Sequence, residues 1–359
     1  MSAANPETMP HIGVLPRGPR GSIADVQGVT AGHCTLDDGP VQTGVTVIRP
    51  HGGDPFLDKV PAAASVINGF GKSIGLVQVE ELGVLETPIA LTNTFGVAAL
   101  AQAQIRAAVA ANPRIGREWP TVNPLVFECN DGYLNHIQAL AVGEQHYQAA
   151  YDAAGVAIAS GSVGAGRGMS CFDLKGGVGN ASRVVEVAGQ MYTVGTLVLA
   201  NFGRLPMLTV DGVALGRVLA ERASQAATAT AAKPEQGSII MIVATDAPLD
   251  ARQLKRLSLR AAAGLARTGS VYGHGSGDIA LAFSTAYTVP HDADLVTLPP
   301  LLKDARLDPL FRACADSVEQ AIIDALWSAT SVTGRDGHRR LSLRDTTSDL
   351  AQLLKSSFR

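Results

Sequence analysis

Aromatic side chains are scarce in this sequence, at 5% of its 359 residues, and tryptophan occurs only twice. Basic runs are also missing, and the net charge is −3 at pH 7. A surface for nucleic acid needs a basic stripe, commonly with interleaved stacking rings, so nucleic acid is not expected as a partner. Cysteine is equally sparse. Cys34, Cys129, Cys171 and Cys314 lie far apart and form no CxxC pair. That spacing argues against a disulfide scaffold or a zinc ribbon and for buried free thiols in a cytoplasmic protein. A thiol nucleophile among them is a minor alternative. The stretch Met1–Gly21 lacks the continuous apolar segment of a secretory signal. No apolar run reaches the ~18 residues that a membrane span needs. The expectation is a soluble, cytoplasmic protein with no membrane partner.

Familiar catalytic signatures are scarce as well. No α/β-hydrolase triad is expected, although Gly71-Lys72-Ser73-Ile74-Gly75 has the GxSxG letters. The eight histidines are scattered, with no HExxH or HxH pair, so no metal is expected and His33 and His274 read as structural or surface residues. The run Gly161-Ser162-Val163-Gly164-Ala165-Gly166-Arg167-Gly168 places Arg167 where a phosphate loop needs lysine. Gly69-Phe70-Gly71-Lys72-Ser73 ends correctly, but Val66 stands where the first glycine belongs. No nucleotide cofactor is expected. These glycines read instead as places where backbone comes close to a small site.

What is present is a chain able to bury a large core. It is 46% hydrophobic, 17% charged and carries 38 glycines, which suits closely packed α/β layers joined by tight turns. Strands are expected at Val45–Arg49, Ala64–Ile67, Pro88–Leu91, Leu125–Glu128, Arg183–Val187, Tyr192–Ala200, Ser238–Val243 and Ile279–Phe283. Helices are expected over Gly96–Ala111, from an Asp250 cap to Thr268, and over Pro309–Ser328. Their apolar stripes, such as Leu254, Leu257, Ala261 and Leu265, are core faces. No internal repeat is visible. An amphipathic piece, Ser342–Phe358, is expected on the surface or against a partner subunit.

The most informative step is Gly237-Ser238. Before it runs the small, polar segment Ala226–Gln236, read as an exposed linker; after it comes the apolar block Ser238–Val243. Cleavage there would give Ser238 a free α-amine with a reference pKa of about 8, partly neutral near pH 7. That amine could activate the hydroxyl on the same residue. Without support from elsewhere, the same dipeptide is an ordinary loop end. Other candidates carry similar double readings. Glu128 ends an apolar strand before Asn130-Asp131-Gly132 and could hold a substrate ammonium, or be a plain surface carboxylate. Ser276 and Asp278 are two apart, so an extended chain turns both the same way, toward a nucleophile or merely into a turn. Asn201 closes an apolar strand and could stabilise an oxyanion, or simply form a turn.

Together these blocks resemble the family of L-aminopeptidase/D-amidase-esterases and β-peptidyl aminopeptidases. The likeness also runs through Asn68-Gly69-Phe70-Gly71, Leu91-Thr92-Asn93-Thr94, Glu128–Gly132, Gly161–Gly166, Lys175-Gly176-Gly177-Val178-Gly179, Leu197–Gly203 and Ser276–Thr285. The resemblance implies a single α/β domain, an αββα sandwich like that of N-terminal-nucleophile hydrolases with different strand connectivity. It implies self-cleavage between Gly237 and Ser238 into chains 1–237 and 238–359, with Ser238 as nucleophile. It assigns Asn201 to the oxyanion, Ser276 and Asp278 to support of the nucleophile, and Glu128 to the substrate's amino group. Asp278 is shorter than the glutamate that some members carry, which puts its reach in question. The implied substrate is a small peptide, amide or ester with a free amine. No metal or cofactor is implied, and the processed units are expected as a homo-oligomer. Two alternatives stand beside this: an acyltransferase of the ornithine acetyltransferase type, whose nucleophile is threonine, and an unprocessed, non-catalytic scaffold of the same fold. Tyr133, Phe202 and Tyr272 are candidates to line the pocket.

Overall fold

The computed structural model describes residues 9–225 and 236–356. The expected linker, apart from Gln236, and Phe358 lie outside them. In chain order the main elements are β1 (Thr30–Asp38), β2 (Val41–Arg49), β3 (Asp58–Gly69), β4 (Ile89–Asn93), α1 (Val97–Ala111), β5 (Leu125–Cys129) and α2 (Glu144–Asp152). They continue with β6 (Gly177–Val187), β7 (Gln190–Asn201), β8 (Gln236–Thr245), α3 (Ala251–Arg267), β9 (Gly275–Ser284) and α4 (Asp308–Trp327).

Two sheets form. The smaller has the order β1-β2-β4-β5. The larger runs β3-β9-β8-β7-β6, with Val289–Pro290 and Val84–Leu85 each pairing with the start of β3. Neighbours are antiparallel except β4 with β5 and β8 with β9. A parallel pair cannot be joined by a tight turn and needs a crossover. Here α1 supplies the crossover for β4–β5 and α3 the one for β8–β9.

Three apolar layers hold the stack together. On β8, Ile240 and Ile242 point at the smaller sheet, where Ile48, Leu91 and Phe127 meet them. The alternate residues, Met241 and Val243, point the other way, into a core with Leu254, Leu257, Ala261 and Leu265 of α3 and Val318, Ile322 and Leu326 of α4. On the far side Val45, Val47, Ala90 and Val126 pack under Val97, Leu100 and Tyr147 of α1 and α2. The two-residue period of a strand thus gives each sheet two apolar faces, and both are covered. The layer order is helix, sheet, sheet, helix.

Every expected strand overlaps an observed one, and the observed strands are mostly longer. Asp250 caps α3, its carboxylate accepting from the Gln253 N–H at 2.7 Å. Sequence reading missed β1, whose Gly32, Asp37 and Asp38 weaken the strand pattern, and α2, which is mostly polar. It also missed a helix at Leu215–Gln225. Other expectations are sharpened, and that of a buried Cys34 is corrected. The C-terminal piece forms short helices at Leu343–Thr346 and Leu350–Ser356, and Leu343 and Leu350 are buried in this chain's own outer core. Cys34 is only half-buried, whereas Cys129, Cys171 and Cys314 are buried. The Gly161–Gly168 run packs backbone on backbone inside the fold. A methyl group on Gly161 would lie 2.2 Å from the Ser328 carbonyl oxygen, and one on Gly166 2.5 Å from the Val178 nitrogen. No helix among the described residues is long and apolar enough to cross a membrane.

Candidate active site

Sheet register gathers the first group of residues. Ser238 pairs with Asn201 on antiparallel β7 and with Gly277 on parallel β9. All three therefore lie side by side at one end of the larger sheet. Ser238 is only 4% exposed. Its Oγ donates to the carbonyl of Gly237 at 2.6 Å and accepts from the Gly277 N–H at 3.3 Å. Position 237 has no room for a side chain: a Cβ there would be 2.2 Å from the Asn201 carbonyl oxygen. Glycine is what lets the two strands close together at this point.

The Asn201 amide is held at both ends. Its Oδ1 accepts from the Ser170 N–H at 2.8 Å, and its Nδ2 donates to the Asn130 carbonyl at 2.9 Å. An amide nitrogen carries two N–H groups, so one remains for a ligand. Ser276 and Asp278 are both buried at the start of β9, and the Ser276 hydroxyl donates to Asp278 Oδ1 at 2.6 Å. Asn68 braces this segment from β3, its Nδ2 donating to the carbonyls of Gly273 and Ser276.

Glu128, 2% exposed, comes from the end of β5 in the other sheet. Its Oε1 accepts from the Lys72 N–H at 2.8 Å, and its Oε2 accepts from the Thr94 hydroxyl. Gly71 lies between this carboxylate and Gly277 of β9, the residue beside Ser238. A Cβ on Gly71 would be 3.6 Å from Glu128 Oε1 and 3.8 Å from Gly277 Cα. The two sheets thus bring Glu128 to the same end of the sandwich as Ser238. Lys72 and Thr94 also begin an apolar groove of about 790 Å³ that continues past Ile74, Phe95, Ala101 and Ile105.

Comparison with known proteins decides the family: residues 21–340 match peptidase family S58. The chain belongs to that family. It is 39% identical over 341 residues to the β-peptidyl aminopeptidase BapA of Sphingosinicella microcystinivorans, covering 89% of this chain and 85% of that protein. Among solved structures, a β-aminopeptidase of a Burkholderia species superposes with a TM-score of 0.86 at 38% identity, over 96% of each chain. The L-aminopeptidase D-Ala-esterase/amidase of Ochrobactrum anthropi superposes with a TM-score of 0.88 at 33% identity, over 98% of each chain, and is described as a variant of the Ntn hydrolase fold. This S58 peptidase is accordingly an aminopeptidase, with the α/β sandwich of that fold group.

Electrostatics separates the candidates further. Burial pushes the Cys129 thiol well up, and the nearby carboxylates of Glu128, Asp278 and Asp131 add to the shift. Burial likewise takes the Cys314 thiol up to about 12. Neither supplies a thiolate at neutral pH, which disfavours thiol nucleophiles. Asp131, buried next to the Glu128 strand, is raised to about 7, chiefly by burial, with hydrogen bonds from Thr43 and Asn135 opposing it. Of the expected pocket aromatics, Tyr133 is exposed, but Phe202 is 1% exposed and packs edge-on against Phe172 in the core. The Tyr272 hydroxyl donates to the Ala262 carbonyl on α3 at 2.6 Å.

Sequence reading did not find the groups that hold the site residues in place. The Gly277 and Lys72 N–H groups are backbone, which no residue letter announces. Thr94 and Asn68 belong to blocks that carry the family resemblance, yet neither suggests its partner. Ser170 and Asn130, which orient Asn201, come from segments far apart in the chain.

Proposed function

We propose that this S58 aminopeptidase matures by cleaving itself between Gly237 and Ser238 and then works through an acyl-enzyme on Ser238. One observation carries the reading. The Ser238 hydroxyl donates at 2.6 Å to the oxygen of the carbonyl whose carbon it would attack, and its Oγ accepts from the Gly277 N–H at 3.3 Å. In maturation, Ser238 Oγ adds to the Gly237 carbonyl carbon, and the C–N bond breaks as the proton passes to the nitrogen. The resulting ester is hydrolysed, leaving the Gly237 carboxylate and a free Ser238 amine.

In turnover, Glu128 anchors the substrate's ammonium with the lone pairs that Lys72 N–H and Thr94 leave available. Ser238 Oγ attacks the substrate carbonyl while its own amine, or the Ser276–Asp278 pair, takes the proton. Asn201 Nδ2–H stabilises the oxyanion, a contribution of about 3–4 kcal/mol when the donor is preorganised. The leaving amine departs, and water releases the N-terminal residue. The groove that begins at Lys72 and Thr94 would receive apolar parts of the substrate. The substrate class is small peptides, amides or esters with a free amine. Because the curated relatives include β-peptidyl aminopeptidases, peptides with an N-terminal β-amino acid are the first to assay.

On this reading chains 1–237 and 238–359 remain one αββα domain, and the processed units assemble as a homo-oligomer. The ornithine acetyltransferase alternative has threonine as nucleophile, where this chain has Ser238. The test is Ser238→Ala: it should leave the chain whole and inactive, and a cleaved, active Ala variant would overturn the proposal.

A further inference from the structure

Asn201 is oriented by two groups that belong to separate segments, the Ser170 N–H and the Asn130 carbonyl. Both segments are clamped by one short arm near the C-terminus. The arm is a hairpin in which Val332–Thr333 pairs with Arg339–Arg340. Its side chains reach inward in succession. Arg335 Nε donates to the Gly132 carbonyl at 2.6 Å, and His338 Nδ1 donates to the Tyr133 carbonyl at 2.8 Å. These two bonds fix the turn that follows Asn130. Arg340 Nε donates to the Ser170 hydroxyl at 3.2 Å, which fixes the other segment.

Arg340 joins the two sides. Its guanidinium lies 3.9 Å from the centre of the Tyr133 ring, and the same ring stacks on His338 at 4.7 Å. It also stands 3.8 Å from the Asp173 carboxylate. The Arg340 side chain is about 20% exposed, so these contacts are partly shielded from water. The Ser170 segment needs such support. Ser170–Cys171 pairs with Leu174–Lys175 across a turn whose central residues, Phe172 and Asp173, both have positive φ, 51° and 60°. Neither is glycine, so the turn is strained and keeps its shape only where its surroundings enforce it. On one side Phe172 wedges against Phe202. On the other the arm holds Ser170.

We propose that Arg340 is a positioning residue for the reaction: through Ser170 on one side and the Tyr133 turn on the other, it sets the angle at which the Asn201 amide faces the oxyanion. The inference rests on the assignment of Asn201 as the oxyanion donor. It also gives the 238–359 piece a second task after cleavage. That piece carries the nucleophile on β8 and, at its far end, the arm that aims a donor lying on the 1–237 piece. A donor misaimed by ~1 Å loses much of its transition-state contribution while leaving substrate binding intact.

The test is a double-mutant cycle on the full chain, with kcat expressed per cleaved chain counted by denaturing mass. Arg340→Ala should lower kcat about tenfold with KM changed by less than about twofold, and Arg340→Lys should recover part of the loss. In an Asn201→Ala background, Arg340→Ala should change kcat no further, because the donor it aims is gone. Ser170→Ala removes the hydroxyl that Arg340 Nε contacts and leaves Arg340 itself and the Ser170 N–H in place. It should reproduce part of the kcat loss and be non-additive with Arg340→Ala, which keeps the proposal testable if Arg340→Ala folds poorly. An equal fold-loss from Arg340→Ala with and without Asn201, or a rise in KM alone, overturns it. If Asn201→Ala by itself leaves kcat unchanged, it is the oxyanion assignment that fails, and that result is separate from the first two.

Discussion

The two sheets of this peptidase contribute to one site by different means. On the larger sheet, Ser238 is placed by backbone register. Asn201, Ser238 and Gly277 stand in a row because β7, β8 and β9 pair in one alignment, and Gly237 lets β8 lie against Asn201. On the smaller sheet, Glu128 is placed by two donors from outside its strand, the Lys72 N–H and the Thr94 hydroxyl. A register shift of one residue would turn every side chain of β8 to the opposite face, so the position of Ser238, the proposed nucleophile, is locked to the packing of the core. On the proposed reading, reactivity is tied to strand register and substrate recognition to side-chain and loop contacts.

Mutations should separate the two ends by the kinetic parameter they move. The largest effect is expected at the register end: Ser238→Ala should abolish both chain cleavage and hydrolysis, read by denaturing mass and by release of p-nitroaniline from amino acid anilides. Asn201→Ala should lower kcat by about 10²–10³-fold with little change in KM. At the recognition end the sign of the comparison reverses. Glu128→Gln should raise KM by about 10–100-fold, the scale of a lost hydrogen bond to a charged group, and erase discrimination against N-acetylated substrates. Thr94→Val should act the same way but more weakly, by about threefold to tenfold, since Lys72 N–H still holds the other oxygen. An effect of Thr94→Val on kcat alone would undo the contrast.

The smallest effect concerns stability and lies away from the site. His33, on β1, is half-buried against Thr46 and the Ala159 carbonyl, and desolvation lowers its pKa to about 4. The unfolded chain binds a proton at His33 near its ordinary value, and the folded chain resists it. Stability should therefore fall as pH drops from about 6.5 toward 4, by at most ~1.4 kcal/mol per pH unit. Urea midpoints across that range, compared with His33→Gln, check this: the variant's curve should be flatter.

Much of the fold could be read from the chain because its buried strands are apolar runs and its helices carry clean stripes. Ser238–Val243 and Leu254–Leu265 are the clearest cases. Edge elements were harder. β1 is an edge strand broken by Gly32 and two aspartates, and α2 shows few apolar residues, since it covers the sheet mainly with Tyr147 and Ala150. At the site, the acidic and hydroxyl residues stood out as letters at strand ends. Their supports did not, because backbone N–H groups at Gly277 and Lys72 have no side-chain signature. The link from Arg340 through Ser170 to Asn201 spans segments that only tertiary packing brings together.

Denaturing intact mass on the purified full chain tests the central claim most directly. The account predicts two fragments, residues 1–237 and 238–359, with Ser238 as a new N-terminus, and a single species for Ser238→Ala. A wild-type chain that stays whole through long incubation yet hydrolyses amino acid anilides would contradict it, because Ser238 would then have no free amine and another group would have to do its work.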